Sequence, residues 1–257
     1  MQAIMRTEAN RVIRIRGAQS APRIRLICFP YAGGNPEEFR AWADEIAPDV
    51  ELLTIRLPGH GSRIRERPHA DWEPLLDDVV TALAPYLAEP HALYGHSFGG
   101  RLAYEVAHLV EDEYAGRTRW LFVSGCRSPD WPQRRPFMFE QSDPELRATL
   151  RQMGGMPDEL LADNKLMKML LPTIRGEFRL AEIWGDRHGY GVNVPITAVY
   201  GRYDEIDDRA AMRGWPIFSR HRGELLEIPG GHFFFATHRR DLITIINTRL
   251  GVIRWAE

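Results

Sequence analysis

Tyr94-Gly95-His96-Ser97-Phe98-Gly99-Gly100 is the stretch whose reading decides the architecture. It follows a short apolar run, Ala92 to Tyr94, and opens the segment Phe98 to Glu113, in which apolar residues recur at three and four positions. Those patterns predict a strand that runs into an amphipathic helix. A G-x-S-x-G sequence at such a junction forms a sharp, strained turn that leaves the serine hydroxyl exposed at the helix N-terminus. Gly95 and Gly99 then stand where side chains would collide. Ser97 is the candidate nucleophile; without the strand and helix around it, the pattern alone would carry little weight.

Outward from this turn, β-rich runs alternate with amphipathic segments. The expected strands are Val12 to Arg16, Ile24 to Phe29, Glu51 to Ile55, Trp120 to Ser124, Ile196 to Tyr200 and Leu225 to Ile228. Several are almost continuously apolar, as parallel strands covered on both faces must be. Further helices are expected at Pro36 to Ile46, Trp72 to Leu87 and Arg239 to Leu250. Asn35 before Pro36 suits a capped start, and Asp71 before Trp72 suits the same role. The alternation predicts an α/β domain with a mostly parallel, doubly wound sheet.

About seventy residues separate Ser124 from Ile196, against roughly 2 to 6 for ordinary α/β connections. A segment is therefore inserted. Residues 129–187 hold helical patterns at Pro144 to Met153 and, broken by Pro172, at Lys165 to Leu180, with dense Met, Phe and Trp. Polarisable methionines suit an adaptable apolar surface over a binding site. The expectation is a helical lid inserted in a single domain, 1–257, with helical core packing as the alternative.

A serine hydroxyl needs a base, and after a nucleophile turn of this kind the acid and then the histidine follow in chain order. Asp204, just past the strand Ile196 to Tyr200, would sit at the same sheet edge as Ser97; Asp207 and Asp208 compete with it. His232, in Pro229-Gly230-Gly231-His232-Phe233-Phe234, follows the last strand in a loop that two glycines let turn inward. His60, His91, His96 and His238 also lie near strand ends or loops, but only His232 has the required order and position. The oxyanion needs two preorganised N–H donors. Phe98 supplies the first, and Ala32 in Phe29-Pro30-Tyr31-Ala32-Gly33-Gly34 the second. This chemistry calls for no metal and no bound cofactor.

The bulk numbers fit one catalytic domain: 257 residues, 44% hydrophobic, with 33 basic against 35 acidic side chains. No excess of positive charge points to nucleic acid or an anionic membrane. Cys28 and Cys126 lie in or beside apolar runs and read as free thiols of a reducing cytoplasm. The N-terminal MQAIMRTEANRVIRIRG has no apolar core of the kind a secretory signal needs, and no stretch approaches the roughly 20 apolar residues of a membrane span. A soluble cytoplasmic monomer is expected.

These residues resemble the stand-alone type II thioesterases of polyketide and nonribosomal peptide biosynthesis, of the α/β-hydrolase fold. The resemblance runs through Phe29 to Gly34, Leu57-Pro58-Gly59-His60-Gly61-Ser62-Arg63, Gly95 to Gly100, Gly201 to Asp204 and Gly230 to Phe234. Met153-Gly154-Gly155-Met156-Pro157 and Phe178-Arg179-Leu180-Ala181-Glu182 extend it into the inserted segment, so it covers roughly residues 24–250. It implies hydrolysis of acyl or aminoacyl thioesters on the phosphopantetheine arm of acyl or peptidyl carrier proteins, clearing stalled or misprimed modules. An acidic carrier domain would meet an arginine rim, with candidates Arg63, Arg65, Arg67, Arg127, Arg134 and Arg135. Two features depart from the family pattern. Tyr31 stands where histidine is common, and Gly185 to Asn193 is unusually rich in glycine, which would alter substrate reach. Rival readings are an esterase for small oxygen esters, an acyltransferase or macrocycle-forming enzyme, and a noncatalytic protein that kept the fold.

Overall fold

The computed structural model describes residues 11–17 and 22–253. Positions 1–10, which carry most of the stretch read as lacking a secretory signal, lie outside the described residues. Seven strands form one sheet: β1 (Val12–Arg16), β2 (Ile24–Phe29), β3 (Val50–Ile55), β4 (His91–His96), β5 (Thr118–Ser124), β6 (Ile196–Gly201) and β7 (Gly223–Ile228). Their order is β1-β3-β2-β4-β5-β6-β7, and only β1 runs antiparallel to its neighbour. The helices are α1 (Trp72–Leu87), α2 (Phe98–Leu109), α3 (Asp143–Met153), α4 (Asp158–Ala162), α5 (Asn164–Ile183), α6 (Arg209–Met212), α7 (Phe234–Thr237) and α8 (Arg239–Gly251).

Alternation along each strand sends side chains to two separate cores. On β2, Ile27 and Phe29 pack on one face with Leu57, Trp72 of α1 and Phe98 of α2. Leu26 and Cys28 pack on the other with Phe39, Trp42 and the α8 residues Leu242 and Ile246. With helices on both faces, the polar backbone of the central strands is satisfied inside the sheet, and their side chains can all be apolar. Cys28 and Cys126 are buried free thiols. Among the described residues no helix is long and apolar enough to cross a membrane.

Local details both match and correct the sequence reading. Asn35 accepts from the Glu37 N–H in a capping box, with Pro36 at the first position. The element it starts is a 3-10 helix, Pro36–Trp42, that gives way to turns before Ile46. Asp71 is the N-cap residue of α1 but makes no side-chain cap bond; its carboxylate lies 3.9 Å from Arg179 instead. Pro172 does not break the second inserted helix. Instead α5 runs unbroken through it, because Leu171, Thr173 and Ile174 are all buried against the domain, and that packing outweighs the one backbone bond proline forfeits.

Candidate active site

The strand order reverses between β2 and β4, since the chain steps from β2 out to β3 and returns past β2 to form β4. Loops leaving the C-terminal ends of the two central strands diverge there and open a crevice. Phe29 and Gly95 are register partners, so the loop after β2 and the turn after β4 emerge side by side. Ser97 occupies that turn at φ 54° and ψ −117°, the one non-glycine residue with positive φ among the described residues. Such a conformation is costly and persists only where the surroundings enforce it. Here a Cβ on Gly95 would lie 2.0 Å from the Gly99 carbonyl oxygen, and one on Gly99 would lie 2.1 Å from that of Phe29. The absence of side chains at both positions lets strand, turn and neighbouring loop close on one another.

Asp204 follows β6 in a tight turn, with its N–H donating to the Gly201 carbonyl at 3.0 Å. Its Oδ2 stands 2.9 Å from Nδ1 of His232, and its Oδ1 accepts from the N–H groups of Ile206 (2.8 Å) and Asp207 (3.0 Å). Burial alone would raise this carboxyl; the imidazole and the two amide donors outweigh it and hold Asp204 below the ordinary carboxylate value. The competing acids are committed elsewhere. Asp207 pairs with Arg101 at 3.1 Å, and Asp208 caps α6 through the Ala211 N–H.

Of the competing histidines, His91 bonds Thr118 and the Glu89 carbonyl, and His238 lies 3.0 Å from the Thr237 hydroxyl. His96 is next to the site: its ring is 5.0 Å from that of His232, and its Nδ1 is 2.9 Å from the Ser124 hydroxyl. Complete burial, reinforced by His232, pushes its pKa well below that of an ordinary histidine. His96 is therefore held neutral beside His232.

Ser97, His232, Tyr31, Ala32 and Gly33 line one cavity, closed over by Leu150 and Met153 of α3, by Met156 in the link between α3 and α4, and by Phe178 of α5. Its volume is about 20 Å³, room for about one water. A second cavity, about 360 Å³, also reaches His232 and is lined by Arg135, Thr149, Gln152, Met153 and Tyr203 among others. In the loop after β2 the Gly33 N–H donates to Glu177 Oε2 at 2.7 Å and the Gly34 N–H to the Tyr31 carbonyl at 2.8 Å. Among the described residues the amides of Ala32 and Phe98 have no acceptor.

The arginine rim is smaller than the sequence suggested. Arg63 is buried and bonds Asp78, Glu66 and the Arg56 carbonyl; Arg127 is buried and donates to the carbonyls of Trp131, Ala181 and Trp184. Both hold loops in place rather than face a partner, whereas Arg65, Arg67, Arg134 and Arg135 are exposed. The glycine-rich segment 185–193 packs against α2, where His188 stacks on His108 at 3.8 Å, and none of its residues lines either cavity at His232. Sequence reasoning missed Glu177 and the Tyr31 hydroxyl. A carboxylate one residue before Phe178 in an apolar helix was the available signal, but nothing in the sequence says which loop it meets.

A twisted, mostly parallel sheet with this turn at its centre and an acid and histidine beyond it defines an α/β-hydrolase. The Thioesterase domain family matches residues 24–250, and the chain belongs to that family; its class of reaction is thioester hydrolysis. The chain is 39% identical over 248 residues to the AMB antimetabolite synthetase AmbE of Pseudomonas aeruginosa, matching 95% of this chain but only 12% of AmbE. The RedJ thioesterase from the prodiginine pathway of Streptomyces coelicolor superposes with a TM-score of 0.80 at 34% identity, covering 91% of this chain and 95% of RedJ. The type II thioesterase BorB from the borrelidin biosynthetic cluster gives a TM-score of 0.80 at 32% identity, covering 93% of this chain and 97% of BorB.

Proposed function

We infer that the protein frees acyl or aminoacyl groups from the phosphopantetheine arm of carrier proteins, with Ser97 as nucleophile, His232 as general base and Asp204 as its orienting acid. The observation that carries this reading is the Asp204 Oδ2 to His232 Nδ1 contact of 2.9 Å beside a cavity that His232 shares with Ser97. Ser97 Oγ attacks the thioester carbonyl carbon as its proton passes to His232 Nε2, and the amides of Ala32 and Phe98 hold the oxyanion. The C–S bond then breaks, with the imidazolium protonating the departing pantetheine sulfur. Water adds to the acyl-enzyme, giving a proton to His232 that returns to Ser97 Oγ as the carboxylic acid leaves. Asp204 keeps the Nδ1 proton in place throughout.

The two cavities suit the two ends of such a substrate. The larger one, with exposed Arg135 among its lining residues, fits a thin polar arm that carries a phosphate. The smaller, lined by Leu150, Met153, Met156 and Phe178, fits the apolar acyl group once the helices above it shift, which makes the inserted segment a lid. All five groups come from this chain, so a monomer suffices. The kinship with BorB, and the match to a part of AmbE, support a carrier-bound substrate.

Intact-mass assays of acyl groups on a carrier protein test both reaction and substrate. Ser97→Ala should stay folded and lose turnover; release at the wild-type rate would overturn the mechanism. A strong preference for matched simple esters would favour the esterase reading, and acyl transfer to a nucleophile other than water would favour the transferase.

A further inference from the structure

The loop that carries Ala32 is tied to the inserted helices on both sides of that residue. On one side the Tyr31 hydroxyl lies 2.9 Å from the Gly155 carbonyl, in the link between α3 and α4, and 3.1 Å from Glu38 Oε1. On the other, the Gly33 N–H donates to Glu177 of α5 at 2.7 Å. Glu177 is 4% exposed, and its second oxygen lies 2.7 Å from Nε2 of His60, so one carboxylate joins α5, the oxyanion loop and the loop after β3. The packing is equally direct: a Cβ on Gly33 would meet Ile174 at 3.0 Å, and one on Gly59 would meet Thr173 at 2.2 Å.

We propose that Glu177 and Tyr31 are positioning residues for the Ala32 amide, so that the oxyanion hole is complete only while the inserted helices rest on the sheet. This rests on the mechanism inferred above. Two physical facts drive it. Binding an acyl chain requires the helices to move, because ligand sites are typically about 300 to 1,000 Å³ and this cavity is about 20 Å³. The tethers at positions 31 and 33 cannot both survive that movement unless the loop moves too, and an oxyanion donor is useful only within a few tenths of an ångström of its place. The donor is therefore in place only once the helices have repacked around the acyl group with both tethers remade, and attack on the carbonyl waits for it. Binding energy from a chain that lets the helices reseat appears as faster acylation rather than tighter binding.

The experiment measures single-turnover acylation and inhibition by an alkyl boronic acid, whose tetrahedral adduct places an oxygen in the hole. A thioether analogue of the substrate, which forms no oxyanion, reports binding alone. Removing a whole donor costs about 10²- to 10³-fold, so misplacing one in Glu177→Ala or Tyr31→Phe is expected to slow acylation about tenfold and raise the boronate Ki in proportion. Thioether affinity should hold. Glu177→Gln keeps an oxygen for the Gly33 N–H and should recover most of the rate; it and Tyr31→Phe carry the test if Glu177→Ala does not fold. Wild-type boronate affinity in Glu177→Ala and Tyr31→Phe, beside an inactive Ser97→Ala, overturns the clamp alone. An active Ser97→Ala overturns the mechanism beneath it.

Discussion

Asparagine at position 204 tests the acid at almost no steric cost, and the geometry says which way the new amide must point. Asp204 Oδ1 accepts two backbone N–H groups, from Ile206 and Asp207, and Oδ2 faces Nδ1 of His232. An asparagine keeps its oxygen toward the two amides, since turning its NH₂ there would set donor against donors and strand buried groups at about 1–3 kcal/mol each. The NH₂ then faces Nδ1, which must accept, so the imidazole proton moves to Nε2 and the ring can no longer take one from Ser97. The same exchange in a serine protease triad costs about 10⁴ in kcat, equivalent to about 5.5 kcal/mol of barrier. Acyl release by Asp204→Asn should fall by that order, as should labelling of Ser97 by a fluorophosphonate, with Tm within a few degrees of wild type. Activity within tenfold of wild type in a folded Asp204→Asn would refute the assignment, and Asp207→Asn, which loses a buried pair with Arg101, should instead cost stability.

Gly99→Ala sets two effects against each other: alanine favours a helix by about 1 kcal/mol, but its Cβ would lie 2.1 Å from the Phe29 carbonyl oxygen and 2.6 Å from that of Pro30. Backbone cannot swing aside, so the clash wins, and denaturation should show a net loss of about 2 kcal/mol together with slower acylation. His60 titrates above an ordinary histidine: burial would lower it, but Glu177 at 2.7 Å prevails. Its contribution is therefore full below about pH 6.5 and fades as pH climbs through the higher folded value; urea titrations should show the wild type's advantage over His60→Gln shrinking as pH rises past neutrality, and an advantage that grows instead would exclude the pair. His91 runs the opposite way, since burial lowers it to about 4, so stability is complete above about pH 6.5 and is lost as pH falls toward 4, by at most about 3 kcal/mol. His91→Gln should remove that acid-side loss in the same titration.

The sheet was legible because β2 and β4 must be apolar on both faces, a pattern local enough to read from the sequence. Trp72–Leu87 came out to the residue because one buried stripe fixes its length. Elements decided by distant contacts were not legible. Pro172 marks a break on local grounds, yet Leu171, Thr173 and Ile174 hold α5 against the domain through it. Arg63 and Arg127 look like surface charges until Asp78 and a set of carbonyls close around them. Ser97, Asp204 and His232 stand out as candidates because each follows a strand with its own turn residues. Glu177 could not, since its meaning lies in meeting Gly33 and His60, 144 and 117 positions away.

The placement of His232 is the least local feature of the site. β7 is the third strand from β4, so at about 4.8 Å per strand its end lies about 14 Å from that of β4. Yet the His232 ring is 5.0 Å from that of His96, the last residue of β4. The loop after β7 must therefore reach back across the ends of two strands, and the turn bearing Asp204 supports it on the way: Arg202 N–H donates to the Ile228 carbonyl at 2.8 Å and Tyr203 N–H to that of Gly230 at 2.9 Å. Asp204 and His232 are thus joined twice, by their side chains and by the backbones that carry them. Any change that shortens or twists residues 201–204 moves the histidine along with the aspartate, so loss of rate without loss of fold is the expected signature of damage anywhere in that turn.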